Sequence, residues 1–216
     1  LNFVMPLQMK KINSIVVENP HIYDSMIMDL YRQMNREEEQ WNLLQDEEFF
    51  AMDKYCDLLM SPADLYFHKK EIQKELIPEI IREIESSEKF EALLEQHGNF
   101  VQLMSQICDQ YKYLLEYDFD FSLKEYLKHY KVTLADLEGS ALEKLLEYIP
   151  VVQELTGKTV FFLHGYGDYL SENDFKHLQK WAKYQEYYIV FLGSRQLLLK
   201  ENTNEYIIDS DLCEIH

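Results

Sequence analysis

Two short glycine-bearing motifs have the residue types that handle phosphate or an oxyanion. The first is Thr156-Gly157-Lys158-Thr159, whose Gly-Lys-Thr is the tail of a phosphate loop. The complete loop needs an earlier glycine at the position of Val152, and it must follow a strand and open a helix. Here the three residues close a helical stretch and open an extended one. Gly157 is therefore expected as the left-handed residue that ends the helix. The second motif, His164-Gly165-Tyr166-Gly167, follows an apolar run, where open α/β sheets bind ligands at the carboxyl ends of strands. Leu170 stands where a dinucleotide fingerprint would place its third glycine. The His-Gly pair also resembles half of an oxyanion hole, but no Gly-x-Ser-x-Gly occurs to supply a nucleophile. A tight turn with positive φ accounts for the motif. No Cys/His, Ser/His/Asp or paired-acid arrangement stands out, and the seven histidines are scattered. Nothing in the residues points to catalysis.

Charge chemistry is more prominent. Glu116, Asp118 and Asp120 alternate along one segment, with Glu125 shortly after. In an extended chain, alternate side chains share a face, and converging carboxylates form a site for a hard cation, Ca²⁺ above all. The spacing is not that of an EF-hand loop. A second reading stands beside the first: an acidic loop that complements the start of the next helix. Lys124, Lys128 and Lys131 recur at helical spacing, as do Lys176, Lys180 and Lys183; Lys69, Lys70 and Lys74 form a third group. These are either solvated helix faces or, gathered on one surface, contacts to a duplex backbone that read no bases.

The whole chain sets limits on these readings. Its 216 residues suffice for one large domain or two small ones. The net charge of −18 disfavours nucleic acid unless the lysines are collected on one surface, and it favours divalent cations or a basic partner. Cys56, Cys108 and Cys213 are far apart and fit buried thiols in a reducing cytoplasm rather than zinc ligands or disulfides. No apolar run is long enough for a membrane span. The opening LNFVMPLQMKK is too short, and charged at the wrong end, for a secretory signal.

The elements that must position these residues follow from periodicity. Ile12 to Glu18 is β-branched and extended, and Asn19-Pro20 caps the helix that follows. Glu37 to Glu48 holds six acids and no base, as expected of a solvated loop or hairpin tip. Tyr55 to Met60 is a short apolar strand. A helical stripe through Ile72, Leu76, Ile80 and Ile84 carries Pro78 as a kink, and a break is expected at Gly98-Asn99 before a stripe through Leu103, Ile107 and Tyr111. Ser122 with Glu125 and Ser140 with Glu143 read as capping boxes, with Phe121 and Tyr126 placed as a staple. Thr159–Leu163, a helix from Ser171, and Tyr188–Leu192 form a parallel βαβ unit, and Tyr206–Ile208 adds a short strand. This order predicts an α/β head of degenerate nucleotide-binding type, built from residues 1–60 and 151–216, with an inserted helical leg over 61–150.

Across most of its length the chain resembles the ring-forming accessory protein family of type II-A CRISPR systems, the Csn2 family, which acts in spacer acquisition. The likeness lies in LNF, INSIVVE and MDLYRQM, then LLEYDFDFSLKEYLKHYKV, then LEKLLEYIPVVQELTGKTVFFLHGYGDYLSENDFKHLQKW, and finally EYIIDSDL. The acidic stretch Glu37–Glu48 and the HGYG motif depart from the family's common pattern. The resemblance implies a homotetrameric ring that binds Ca²⁺ and threads linear double-stranded DNA through a lysine-lined hole without cleaving it. It also implies work with the adaptation integrase and the RNA-guided effector nuclease, in the cytoplasm and away from membranes. On this basis Glu116, Asp118, Asp120 and Glu125 are the expected calcium ligands, and Lys69, Lys70, Lys124, Lys128 and Lys131 the expected DNA contacts. A ring acidic outside and basic inside would reconcile the net charge with DNA. The competing expectations are an acidic adaptor for a basic protein partner, without DNA binding, and a degenerate nucleotide-binding protein.

Overall fold

The computed structural model describes residues 5–36, 41–45, 48–197 and 202–215. In chain order the elements begin with β1 (Ile12–Val17) and α1 (Pro20–Met34). A hairpin of β2 (Leu43–Gln45) and β3 (Glu48–Phe50) follows, then the single turn α2 (Met52–Tyr55) and β4 (Cys56–Leu59). Four helices come next: α3 (Lys70–Ser86), α4 (Lys89–Asp109), α5 (Leu123–His129) and α6 (Ala141–Thr156). The chain closes with β5 (Val160–His164), α7 (Glu172–Ala182), β6 (Tyr188–Gly193), β7 (Thr203–Ile208) and β8 (Glu214–Ile215).

Six strands form one sheet in the order β4-β5-β6-β1-β7-β8. All neighbours are parallel except β8, which runs antiparallel to β7. β1 is buried along its whole length, as expected of a central parallel strand covered on both faces. Its one amide, Asn13, is fully buried yet satisfied: it donates to the Gln8 and Ile189 carbonyls and accepts from the Gln8 N–H and the Asn204 amide. Val17, Leu30, Phe162, Val190 and Ile208 lie in the core on one face of this sheet.

The chain divides into two compact units: residues 1–67 with 136–216, and residues 68–135. The first contains the sheet, so both ends of the chain build the α/β unit and the second unit is helical. These limits differ from 61–150 because α6 belongs with the sheet. α6 buries Leu142, Leu145, Tyr148, Ile149 and Val152, and Phe67 stacks on Tyr148 with ring centroids 5.8 Å apart.

Local signals account for most boundaries. Asn19 Oδ1 accepts from the His21 and Ile22 N–H groups, with Pro20 at the first helical position. Ser140 and Glu143 form a complete capping box, and α6 ends on Gly157 at φ 74°. Ser171 and Asp174 form a further box that opens α7. Two expectations are corrected. α4 runs unbroken through Gly98-Asn99, because a helical glycine costs only about 1 kcal/mol relative to alanine; the break falls at Ser87 instead. Ser122 accepts from the Glu125 N–H, but the Glu125 carboxylate turns to Lys128, so this box is half formed. The Phe121–Tyr126 contact does form, with ring centroids 5.7 Å apart. Most of the acids of Glu37–Glu48 lie outside the described residues, but β2 and β3 make the surrounding segment a hairpin.

The three cysteines do not share one environment. Cys56 is buried, Cys108 half-buried and Cys213 exposed, which corrects the expectation of uniformly buried thiols. Burial pushes the Cys56 thiol up to about 12, with Lys158 opposing and Asp57 and Asp53 adding to the rise. A thiol-reactive dye at neutral pH is expected to label Cys213 rapidly and Cys56 only in denaturant. Rapid native labelling of Cys56, read by mass spectrometry, would contradict this placement.

Candidate functional site

The carboxyl edge of the parallel sheet is the first place to look for a ligand. The chain leaves β1 towards β4 on one side, and later crosses from β6 past β1 to β7 on the other. The β6–β1 boundary is thus the switch point at which such sheets open a crevice. Only Glu18 and Asn19 connect β1 to α1, too few for a glycine-rich phosphate loop. The α1 N–H groups that would meet a phosphate are already taken by the Asn19 side chain. Over the same edge, Tyr23 stacks on His164 at 5.7 Å and 17°, and its O–H donates to the Leu192 carbonyl. That carbonyl also accepts from the Gly165 N–H. Desolvation, reinforced by Asp168, pushes the Tyr23 phenol up to about 12, so it stays a neutral donor.

The two glycine motifs have structural roles. Gly165 adopts φ 66°, the left-handed turn expected of HGYG. Lys158 is not exposed to a ligand: its Nζ lies 3.4 Å from Asp57 Oδ1, with both side chains more than nine-tenths buried. Tyr148 O–H donates to the other oxygen of Asp57 at 2.8 Å.

The helical unit carries all the expected metal and DNA residues. Glu116, Asp118 and Asp120 are exposed on the irregular segment between α4 and α5. Asp118 Oδ1 accepts from the Asp120 N–H at 3.1 Å. Glu125 lies on α5, 2.9 Å from Lys128 Nζ, and that hydrogen bond with the lysine's charge holds its carboxyl below the usual range. Oxygen donors of this kind suit a hard cation. Among the described residues, however, no three His, Cys, Asp or Glu come together as a metal-holding group. The donor chemistry suits Ca²⁺, but the described residues do not close a coordination shell around it.

The lysines lie on two segments that meet. Lys70 opens α3 and Lys69 precedes it; Lys124 and Lys128 lie one turn apart on α5, and Lys131 follows in the left-handed region at φ 51°. Thr133 joins these two groups. Its hydroxyl accepts from Gln73 of α3 at 2.8 Å and shares a hydrogen bond with His68 at 3.3 Å. The start of α3 and the residues after α5 therefore meet at one end of the unit. Lys70, Lys124 and Lys131 have no ion pair among the described residues, whereas Lys128 is engaged by Glu125. Of the other stripe, Lys176 pairs with Glu172 at 2.6 Å on α7. Sequence reasoning missed Thr133, because its partners lie more than fifty residues earlier.

α4 has its own peculiarity. It is 21 residues long and buries no side chain, while Phe100, Leu103 and Ile107 are each at least half exposed along one face. Phe100 also borders a groove of about 510 Å³ shared with Phe121, Tyr126 and Tyr130. Among the described residues, no helix is long and apolar enough to cross a membrane.

Comparison with known proteins gives one family. Residues 33–212 match the family described as CRISPR-associated protein (Cas_Csn2). No individually curated protein matches the chain.

Proposed function

The chain belongs to the Cas_Csn2 family of CRISPR-associated proteins, and from that premise we propose that it is a non-enzymatic, ring-forming protein that holds double-stranded DNA ends during spacer acquisition. The observation that most supports this reading is that the segment opening α3, which carries Lys69 and Lys70, meets the segment after α5, which carries Lys131, at Thr133, in a chain of net charge −18. A homotetramer that turned this end inward would offer phosphates a basic path and keep the acidic surface outside. Backbone contacts of this kind bind without reading sequence. The short, side-chain-capped β1–α1 connection favours a holding role over nucleotide turnover.

Ca²⁺ belongs to the same proposal. Glu116, Asp118, Asp120 and Glu125 would hold it, with the shell completed from outside the single chain. The cation would neutralise carboxylates that otherwise oppose assembly. The partners in this reading are the adaptation integrase and the RNA-guided effector nuclease, in the cytoplasm.

The test is gel retardation of linear and closed circular duplex, with calcium or with chelator. Linear DNA is expected to bind in calcium, and closed circles are not. Lys124→Glu or Lys131→Glu is expected to weaken linear binding roughly tenfold and to lower the salt slope by about one per phosphate lost. Equal retention of both topologies would sink the threading idea. The net charge of −18 favours a second reading, an adaptor for a basic protein. No retardation of either DNA, with tight low-salt binding to a basic partner, would transfer the assignment to it.

A further inference from the structure

Two parts of the helical unit stay uncovered in the single chain, and they lie at opposite ends of one stripe. Along α4, Phe100, Leu103 and Ile107 recur at helical spacing. Tyr111 continues the series just past the helix, its N–H still bonded to the Cys108 carbonyl at 3.1 Å. Phe100 is half exposed and the other three more than half. At the N-terminal end of the stripe lies the groove of about 510 Å³, between Leu93, Gln96 and Phe100 of α4 and Tyr126 and Tyr130 of α5. Its floor is fixed by His97, whose Nδ1 is 2.9 Å from the Tyr126 hydroxyl and whose Nε2 is 2.9 Å from the Phe119 carbonyl. Past the C-terminal end of the stripe, Tyr113 is more than half exposed and Leu114 is 98% exposed.

Charge selects what can cover these surfaces. The chain carries −18, so two copies repel over most of their area. Residues 96–108 contain no Asp, Glu, Lys or Arg; Glu95 precedes the stretch and Asp109 follows it. Amides flank the apolar positions instead, at Gln96, Asn99, Gln102 and Gln106. A second copy of the same helix can lie along this stretch without like-charge contact, whereas a basic partner would find no carboxylate there to pair with. Beyond the stretch, residues 110–115 add one base, Lys112, and no acid, while the groove lining adds one acid, Glu125.

Symmetry then sets the orientation. A two-fold axis across α4, level with Leu103 and Met104 at the middle of the stripe, runs the two helices antiparallel. Phe100 then faces Ile107 of the second copy, Gln96 faces its Tyr111, and Leu93 faces its Leu114. The groove of each copy thus meets the uncovered tail of the other, and Glu125 meets Lys112. A parallel pair would set groove against groove and leave Leu114 in water. Taking about 150–250 Å² for a large side chain, the exposed parts of Phe100, Leu103, Ile107, Tyr111, Tyr113 and Leu114 come to on the order of 600 Å² per copy. The flanking amides bring this towards the ~800 Å² per partner of a standard interface.

We infer that two copies of the chain pair through antiparallel α4 helices, with Tyr113 and Leu114 of each copy seated in the groove of the other. This pairing rests on the self-assembly of the proposed function and needs neither DNA nor calcium.

Cross-linking of the full chain, with Cys108 and Cys213 replaced by serine, tests the orientation. Phe100→Cys and Ile107→Cys chains with tags of different length are co-expressed and treated with a short bismaleimide. The mixed product is expected to dominate over both self-products. Sedimentation tests the seating of the tail. Leu114 is covered by nothing in its own chain, so Leu114→Glu leaves the fold intact. It acts twice in a two-fold contact and is expected to raise the Kd of self-association roughly a hundredfold or more. A mixed product no more abundant than the self-products, or unchanged self-association of Leu114→Glu, overturns the inference while the assembly reading stands. Wild-type protein that sediments as a single chain at every concentration removes the self-assembly reading and this inference with it.

Discussion

If the chain forms the proposed ring, replacing Leu103 and Ile107 together by glutamate is expected to dissociate it and abolish retention of linear DNA. Both residues lie on the face of α4 that also carries Phe100, and each is more than half exposed in the single chain. α4 packs one half-buried face, through Phe90, Leu93, His97, Val101 and Met104, inside its unit, and leaves the apolar Phe100 face exposed. A contiguous apolar face of this kind marks an interaction surface. Covering a leucine or isoleucine contributes about 1.5–3 kcal/mol. In a two-fold contact each substitution acts twice. Each is already nearly half covered within the chain, so the double variant removes on the order of 3 kcal/mol or more, at least about two decades in Kd. Charge repulsion among the new glutamates adds to the effect. Light scattering should show the mass fall from that of the proposed tetramer to smaller species at micromolar concentration. Since the variant changes surface positions, its melting temperature should move little. Unchanged mass would show that α4 is not an assembly surface, and intact DNA binding by a monomer would defeat the ring reading altogether.

Such an interface can be anticipated only in part from sequence, and the reason is physical. Local signals mark where elements start and stop. Asn19-Pro20, Ser140 with Glu143, and Gly157 act on backbone groups a few residues away, and all three boundaries fall where those residues predict. Gly98-Asn99 shows the limit of the same logic. A glycine weakens a helix without ending it, and only the surroundings decide. Strand order is less legible still. β1 pairs with β6 and β7, near the other end of the chain, and nothing within Ile12–Val17 names those neighbours. For the candidate site, residue types were visible and their meeting was not. The lysines and carboxylates can be read from the sequence, but Thr133, which joins α3 to the end of α5, looks like any other threonine. His97 is one of seven scattered histidines until α4 places it against Phe119.

Lys158 is the sharpest case of a motif whose context reverses its meaning, and Lys158→Met is expected to destabilise the α/β unit by about 3–5 kcal/mol. As the lysine of Gly-Lys-Thr it would reach out to phosphates, and its loss would abolish ligand binding with little effect on folding. In the structure it points inward instead. Its Nζ is 3.4 Å from Asp57 Oδ1, and the two side chains are 8% and 7% exposed. Asp57 stands on β4 and Lys158 just before β5, so the pair spans neighbouring strands beneath Tyr148 of α6. Methionine preserves much of the volume but leaves the carboxylate buried without its cation. The Tyr148 hydroxyl still donates to Asp57, but a neutral donor does not replace a charge. For a chain of this size the loss corresponds to a fall in melting temperature on the order of 10 °C. Pairing Lys158→Met with Asp57→Asn should recover part of the loss, because no unpaired charge then remains, and the double-mutant cycle reads that coupling directly. Calorimetry with ATP and Mg²⁺ completes the comparison, with no binding expected in wild type or variant. If Lys158→Met instead melted like wild type while wild type bound nucleotide and the variant did not, the Gly-Lys-Thr segment would be a phosphate site after all.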